Sequence, residues 1–181
     1  MEKETPPLEF GILRILDCGF SIEELIGNEP NIDIGYGMSF VFSVENNWIQ
    51  FAIRTDFKQV DTDIIFFSGT VSTRFGVNNL KQLEDEDGKI TFPQGFLETL
   101  FGITFSHMRA ILAKNVAGSR FSNIIVPLIN PKSLFNELLQ GNIEKLKEFA
   151  KNKGITDQLK EGINNFRFSE KYKGESPERL F

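Results

Sequence analysis

The chain contains one histidine, His107, and one cysteine, Cys18, and that shortage bounds its chemistry. A His/Cys zinc cage, a CxxC redox pair and an intrachain disulfide each need more ligands or thiols than are present. A Ser-His-Asp or Cys-His nucleophilic site would have to be assembled around His107. His107 falls in SHMRA, midway along a helical pattern, where the adjacent Ser106 points elsewhere and Glu98 is too far off. It reads as a structural or interface histidine. Arg109, two residues on, cannot share its helix face and reads as a solvated or interface cation. Cys18, in LDCGF, reads as a small buried hydrophobe. The run Glu84-Asp85-Glu86-Asp87-Gly88 lacks the spaced oxygens and the closing glutamate of a calcium loop, so it reads as a solvated turn. No GxGxxG, P-loop, HExxH or GxSxG motif occurs. No catalytic residue, metal or cofactor is expected, and the chain reads as non-enzymatic.

The surplus is aromatic. Phenylalanine accounts for 19 of 181 residues, against 1 Trp and 2 Tyr. Hydrophobic residues make up 40%, ordinary for a folded domain, so wholesale disorder is excluded. Net charge is −5, unevenly spread: residues 1–131 carry 10 Lys+Arg against 17 Asp+Glu, and residues 132–181 carry 10 against 8. An acidic body argues against nucleic acid. MEKETPPLEF has no apolar leader core and no stretch approaches a membrane span, so no membrane insertion and a cytoplasmic setting with Cys18 reduced are expected.

The elements that must position these aromatics follow from periodicity. Leu8 to Ile22 predicts a first strand, whose broken alternation suits a bulge or burial on both faces. Glu23 to Gly37 carries Gly27, Asn28, Pro30, Asn31 and Gly35 and reads as a loop. Met38 to Glu45 alternates Met38, Phe40, Phe42 and Val44 against polar partners, and Asn46-Asn47 turns into a third strand, Trp48 to Phe57. Ile64 to Val77 is a long fourth strand, and short connections imply an antiparallel meander. Asn78 to Thr91 reads as a crossover loop. After Phe92-Pro93 the period changes to three and four, with Leu97, Leu100, Phe101, Met108, Ile111, Leu112 and Val116 forming one stripe of a long helix ending at Gly118. IIVPLI, Ile124 to Ile129, is extended. Asn130-Pro131 opens a short helix to Leu139, and 142–152 and 156–165 suggest further short helices. The class is α+β: a four-stranded antiparallel sheet, a long helix and short C-terminal helices, with a main domain over 1–140 and a helical extension over 141–181.

Some phenylalanines exceed what one core absorbs. One helix leaves a sheet face uncovered, Phe66 has opposite parity to Phe67, and Phe105 falls off the helical stripe. Apolar groups on both faces predict an oligomer face or an apolar groove.

Three segments carry a family resemblance: FGILRILDCGFSIEE (Phe10 to Glu24), IIFFSGTVSTRFGV closing on Arg74-Phe75-Gly76-Val77, and Thr91 to Phe135. The last has Phe-Pro at the start of the long helix, Phe121 soon after it, a Pro-containing extended segment ending in Asn130, and the Leu134-Phe135 pair. In order and spacing, over about residues 8–140, the chain resembles the SecB-like protein-export chaperones. The resemblance implies dimers formed by helix and strand pairing, a homodimer or homotetramer, and ATP-independent holding of unfolded polypeptide clients in aromatic grooves. Carried over by position, the client-binding residues are Phe40, Phe42, Phe66, Phe67, Phe75 and Phe135, and the oligomer interface takes Phe101, Phe105, Met108 and Leu112. Two departures stand out. Ser68 occupies a position where the family carries a carboxylate, and residues 132–181 are net positive. Both argue against engagement of the translocation motor SecA and leave room for a relative that controls a toxin–antitoxin pair. Two rival readings are a hot-dog-like small-ligand enzyme using Glu98, and an interaction protein whose basic C-terminal helices, Lys145 to Lys160, contact a partner.

Overall fold

In the computed structural model, residues 8–23, 31–60, 64–86, 88–123, 126–153 and 166–168 are described. The strands are β1 (Phe10–Ile22), β2 (Ile32–Ser43), β3 (Trp48–Gln59), β4 (Ile65–Val77), β5 (Ile90–Phe92) and β6 (Phe166–Phe168). The helices are α1 (Gln94–Val116) and α2 (Pro131–Lys153), and a single 3-10 turn spans Leu80–Leu83. The four long strands form one antiparallel sheet in the order β1-β4-β3-β2. The α+β class is as expected from the sequence. The connectivity is not a plain meander: β2, β3 and β4 are sequential neighbours, but β1 lies beside β4, a Greek-key order that puts β1 and β2 on opposite edges.

β3 alternates cleanly. Ile49, Phe51, Ile53, Thr55 and Phe57 are buried, whereas Trp48, Gln50, Ala52, Arg54, Asp56 and Lys58 are not. The cross-strand pairs Ile49↔Phe75, Ile53↔Val71 and Phe57↔Phe67 carry the buried face into β4. α1 lies on that face with Leu97, Leu100, Phe101, Phe105, Met108, Leu112 and Val116, all at or below 2% exposure. It comes close to the sheet at Gly69, where Leu112 stands so near that an added Cβ would collide with its Cδ2. Pro93 precedes the first helical residue, and Gly118, at φ 78°, lies just beyond the end, as the sequence predicts.

Several boundaries differ from the sequence reading. β2 starts at Ile32, inside the expected loop, because Gly35 and Gly37 sit within the strand opposite Asp56 and Arg54 rather than in a turn. The expected crossover loop contains the 3-10 turn and β5, and β5 pairs in parallel with β6. The short helices expected at 132–139 and 142–152 are one continuous helix, α2, which runs through the expected domain boundary at 140/141. Asn130 caps it, its Oδ1 accepting from the Lys132 and Ser133 amides at 3.0 and 3.4 Å, with Pro131 in the first position. The helix expected over 156–165, like Ile124 and Ile125, lies outside the described residues.

Candidate interaction surface

The aromatic surplus resolves into core rather than groove. Phe66, Phe67, Phe75 and Phe135, expected to bind clients, are at most 1% exposed. Phe101, Phe105, Met108 and Leu112, expected at an oligomer interface, are at most 2% exposed because α1 turns its apolar stripe onto the chain's own sheet. Phe66 misled by parity. A register shift between Phe57 and Lys58 inserts one extra residue in β4, so Phe66 and Phe67 both enter the core. There Phe66 meets Phe57 at 6.4 Å and Phe121 at 5.5 Å between ring centroids. Phe105 stacks with Phe101 at 6.3 Å and leans on Tyr36 at 5.9 Å. Phe135, from α2, closes on Phe101 and Phe51 at 5.4 and 6.2 Å.

Phe40 and Phe42 alone among the expected client-binding residues keep some surface. They lie half-buried on the α1 side of β2, 5.6 Å apart, and both meet Phe92, at 5.7 and 5.1 Å.

The uncovered sheet face is also not what the sequence predicts. It presents Gln50, Arg54, Asp56, Ser68, Thr70 and Arg74, while Ser72 on the same side is 2% exposed with no hydrogen-bond partner for its hydroxyl among the described residues. Arg74 Nε donates to Gln50 Oε1 at 2.8 Å, and its guanidinium lies 4.3 Å from the centre of the Trp48 ring. Arg54 pairs with Asp56 at 2.9 Å, and the hydroxyls of Ser21 and Ser68 are 2.8 Å apart. This face is largely polar, although Val41 of β2 is 51% exposed there, and the main run of exposed apolar side chains lies elsewhere.

It lies on β1. None of its 13 residues is buried. Phe10, Ile12, Ile15, Phe20 and Ile22 all project to the α1 side yet remain 39–49% exposed, because α1 sits over β3 and β4 and stops short of the edge strand. On the other side Leu13, 63% exposed, rests over Gly76. The inner rings are tied down only at their bases: Phe10 meets Phe75 and Phe96 at 5.9 and 5.8 Å, and Phe20 meets Phe67 at 5.4 Å. Two register shifts, at Ile12/Arg14 and Asp17/Gly19, twist the strand. Its outer edge has no strand partner among the described residues. The opposite edge is partly closed, since Asn142 of α2 donates to the Met38 carbonyl at 3.1 Å. An unpaired strand edge flanked by large apolar groups is a template for another chain.

The residues singled out for chemistry have the following surroundings. His107 Nδ1 is 2.9 Å from the Thr73 hydroxyl, next to Ile15, and burial pushes its pKa down. Asn115 Nδ2 donates to Asp17 Oδ2 at 2.8 Å, pinning β1 to the helix. Cys18 is exposed, not buried as expected, because it sits at the second bulge of an edge strand. Glu98 is engaged by Lys132 at 3.3 Å and Asn136 at 3.5 Å, joining α1 to α2. Arg109 is half-buried rather than solvated, its Nε donating to the Val126 carbonyl at 3.2 Å. Asp85 Oδ1 accepts from the Lys89 amide at 2.8 Å. Among the described residues no group of His, Cys, Asp and Glu could hold a metal ion, and no helix is long and apolar enough to cross a membrane.

Sequence reasoning missed Phe10, Ile12, Ile15, Phe20 and Ile22 as surface. The available signal was the polar interruption by Arg14, Asp17 and Cys18, which a strand buried on both faces would not carry.

No family model matches the chain, and no curated protein matches it. Among solved structures, a crystal structure of a Streptococcus agalactiae protein of unknown function is similar over 68% of this chain and 99% of that one, at 11% identity and a TM-score of 0.32.

Proposed function

We propose that this chain is a non-enzymatic, ATP-independent chaperone of the SecB-like kind, which holds unfolded polypeptide on exposed apolar surface and works as an even oligomer. The observation that carries the reading is β1: a whole edge strand, none of it buried, with five large apolar side chains held on one side. In this reading a second copy covers β1, and clients are held along the half-buried aromatic rim of Phe40 and Phe42, with backbone pairing available where strand edges stay open. The seat of client binding thus moves from the core phenylalanines to the rim and the edge. Among the described residues the outer face carries no acidic cluster, and motor engagement is not part of the proposal. A single exposed thiol, Cys18, suits a reducing, cytoplasmic compartment.

The test is aggregation of a reduced, unfolded client followed by light scattering without nucleotide. Stoichiometric protein should suppress the scattering. Phe40→Ser with Phe42→Ser should remove much of that effect while leaving the native mass unchanged. No suppression at excess wild-type protein would sink the proposal.

A further inference from the structure

The C-terminal half of α1 does not close completely on the sheet. Beneath it, between the end of β3 and the start of β4, lies a cavity of about 120 Å³. Its walls are Phe57, Phe67, Leu112, Val116 and Val126, all buried. Two polar side chains, Arg109 and Ser122, reach the same space.

Arg109 is the unusual member. Its Nε is spent on the Val126 carbonyl, which fixes the guanidinium, and no carboxylate among the described residues pairs with it. Four of the five N–H donors of the fork are left for other partners. Burying a guanidinium without an anion is unfavourable, and this half-buried one lines a largely apolar pocket. A second orphan lies nearby. The Tyr36 hydroxyl is buried and has no hydrogen-bond partner among the described residues. Burial pushes its pKa up, and the positive charge of Arg109 pulls part of the way back, so the phenol sits within the field of that guanidinium.

We infer that the cavity is a binding site for a short, branched apolar carboxylate. The hydrocarbon packs among Phe57, Phe67, Leu112 and Val116, and the carboxylate lies on the free guanidinium donors of Arg109 as a charge-assisted pair. Size fixes the class. A dry cavity of about 150 Å³ admits a six-carbon ring, so one of 120 Å³ suits four or five carbons. Ala113 and Ser122, both exposed, mark the mouth. The same chemistry is offered by a free branched-chain acid and by the C-terminal valine of a peptide.

Thermal unfolding of the full chain with sodium isovalerate, isovaleramide and N-acetylglycylvaline, against sodium chloride controls, tests the site. Isovalerate should raise the melting temperature with a dissociation constant of about 1 mM, in keeping with so small a ligand. Isovaleramide should bind at least about tenfold more weakly, because it lacks the charge. Arg109→Gln should weaken isovalerate binding by at least about tenfold. Ala113→Leu, on the exposed side of α1, should leave the unliganded melting temperature unchanged and abolish the response. If Arg109→Gln does not fold, the amide comparison and Ala113→Leu decide. N-acetylglycylvaline binding as tightly as isovalerate identifies a peptide terminus, and isovalerate binding alone identifies a free acid. Equal binding of acid and amide, no binding of either acid, or wild-type binding by Ala113→Leu would overturn the inference.

Discussion

At the scale of single residues, two contacts set how α1 sits on the sheet. Gly69 lets Leu112 approach the β4 backbone more closely than any side chain would allow. Gly69→Ala should therefore cost about 1–3 kcal/mol of stability, the range for overpacking a tight core. Leu112→Ala in the same chain should recover part of the loss, and denaturant unfolding of the double-mutant cycle measures the coupling. A neutral Gly69→Ala would mean that the contact is not tight in solution. His107 supplies the second contact. Its folded-state pKa lies below the ordinary histidine value because burial disfavours the imidazolium. The unfolded chain then binds the proton more readily, so its contribution is full above the unfolded pKa and is lost as pH falls through the folded one. Between about pH 8 and about pH 5.5 the wild type should lose more stability than His107→Gln. Parallel pH profiles would contradict this. The sequence suggests a structural or interface role for His107 but hides its partner: Thr73 is 34 residues away and meets it only through the packing of α1 on β4.

At the scale of elements, the strands were readable where alternation was clean and the breakers lay between them, as in β3 and the Asn46-Asn47 turn, where Asn47 takes φ 51°. Two expectations fail: the loop drawn through Gly35 to Gly37, and the division of the C-terminal helix around 140–141. Gly35 and Gly37 lie inside β2, and Gly141 lies inside α2, because cross-strand pairing in one case and core packing of Leu134, Phe135, Leu138 and Leu139 in the other override a local preference. This difference is testable. Nothing lies within 4 Å of a Cβ added at Gly141. In a continuous helix Gly141→Ala should raise stability by about 0.5–1 kcal/mol, the cost of glycine in a helix interior. Were the chain broken there, as the sequence suggested, alanine would give no gain. The candidate surface was hidden for a related reason. Parity assigns a residue to a face, but whether that face is covered depends on strand order, and no local pattern showed that β1 would sit at the edge beyond the reach of α1.

At the scale of the whole molecule, the polar outer face and the apolar β1 ledge make opposite demands. The outer face, with Arg54, Asp56, Arg74 and Gln50 bonded among themselves, is adapted to water. The ledge is not: a long, hydrophobic, unpaired edge is a liability that folded proteins blunt or cover. The bulges and the charges of Arg14 and Asp17 blunt it only in part, since Phe10, Ile12, Ile15, Phe20 and Ile22 stay exposed between them. Antiparallel pairing of two β1 strands would satisfy the edge and set the two ledges side by side on one face, burying part of each, with two-fold symmetry. The wild type should then run at an even multiple of 20.6 kDa in native mass measurements, and its melting temperature should rise with protein concentration. Because the contact is apolar, added salt should not dissociate it. Ile15→Lys places a charge at a position 42% exposed in the single chain, so the monomer should keep its circular dichroism spectrum while the oligomer falls apart. A wild type that stays monomeric at all concentrations would leave the ledge to clients. In that event Ile15→Lys should abolish client holding instead of changing the mass.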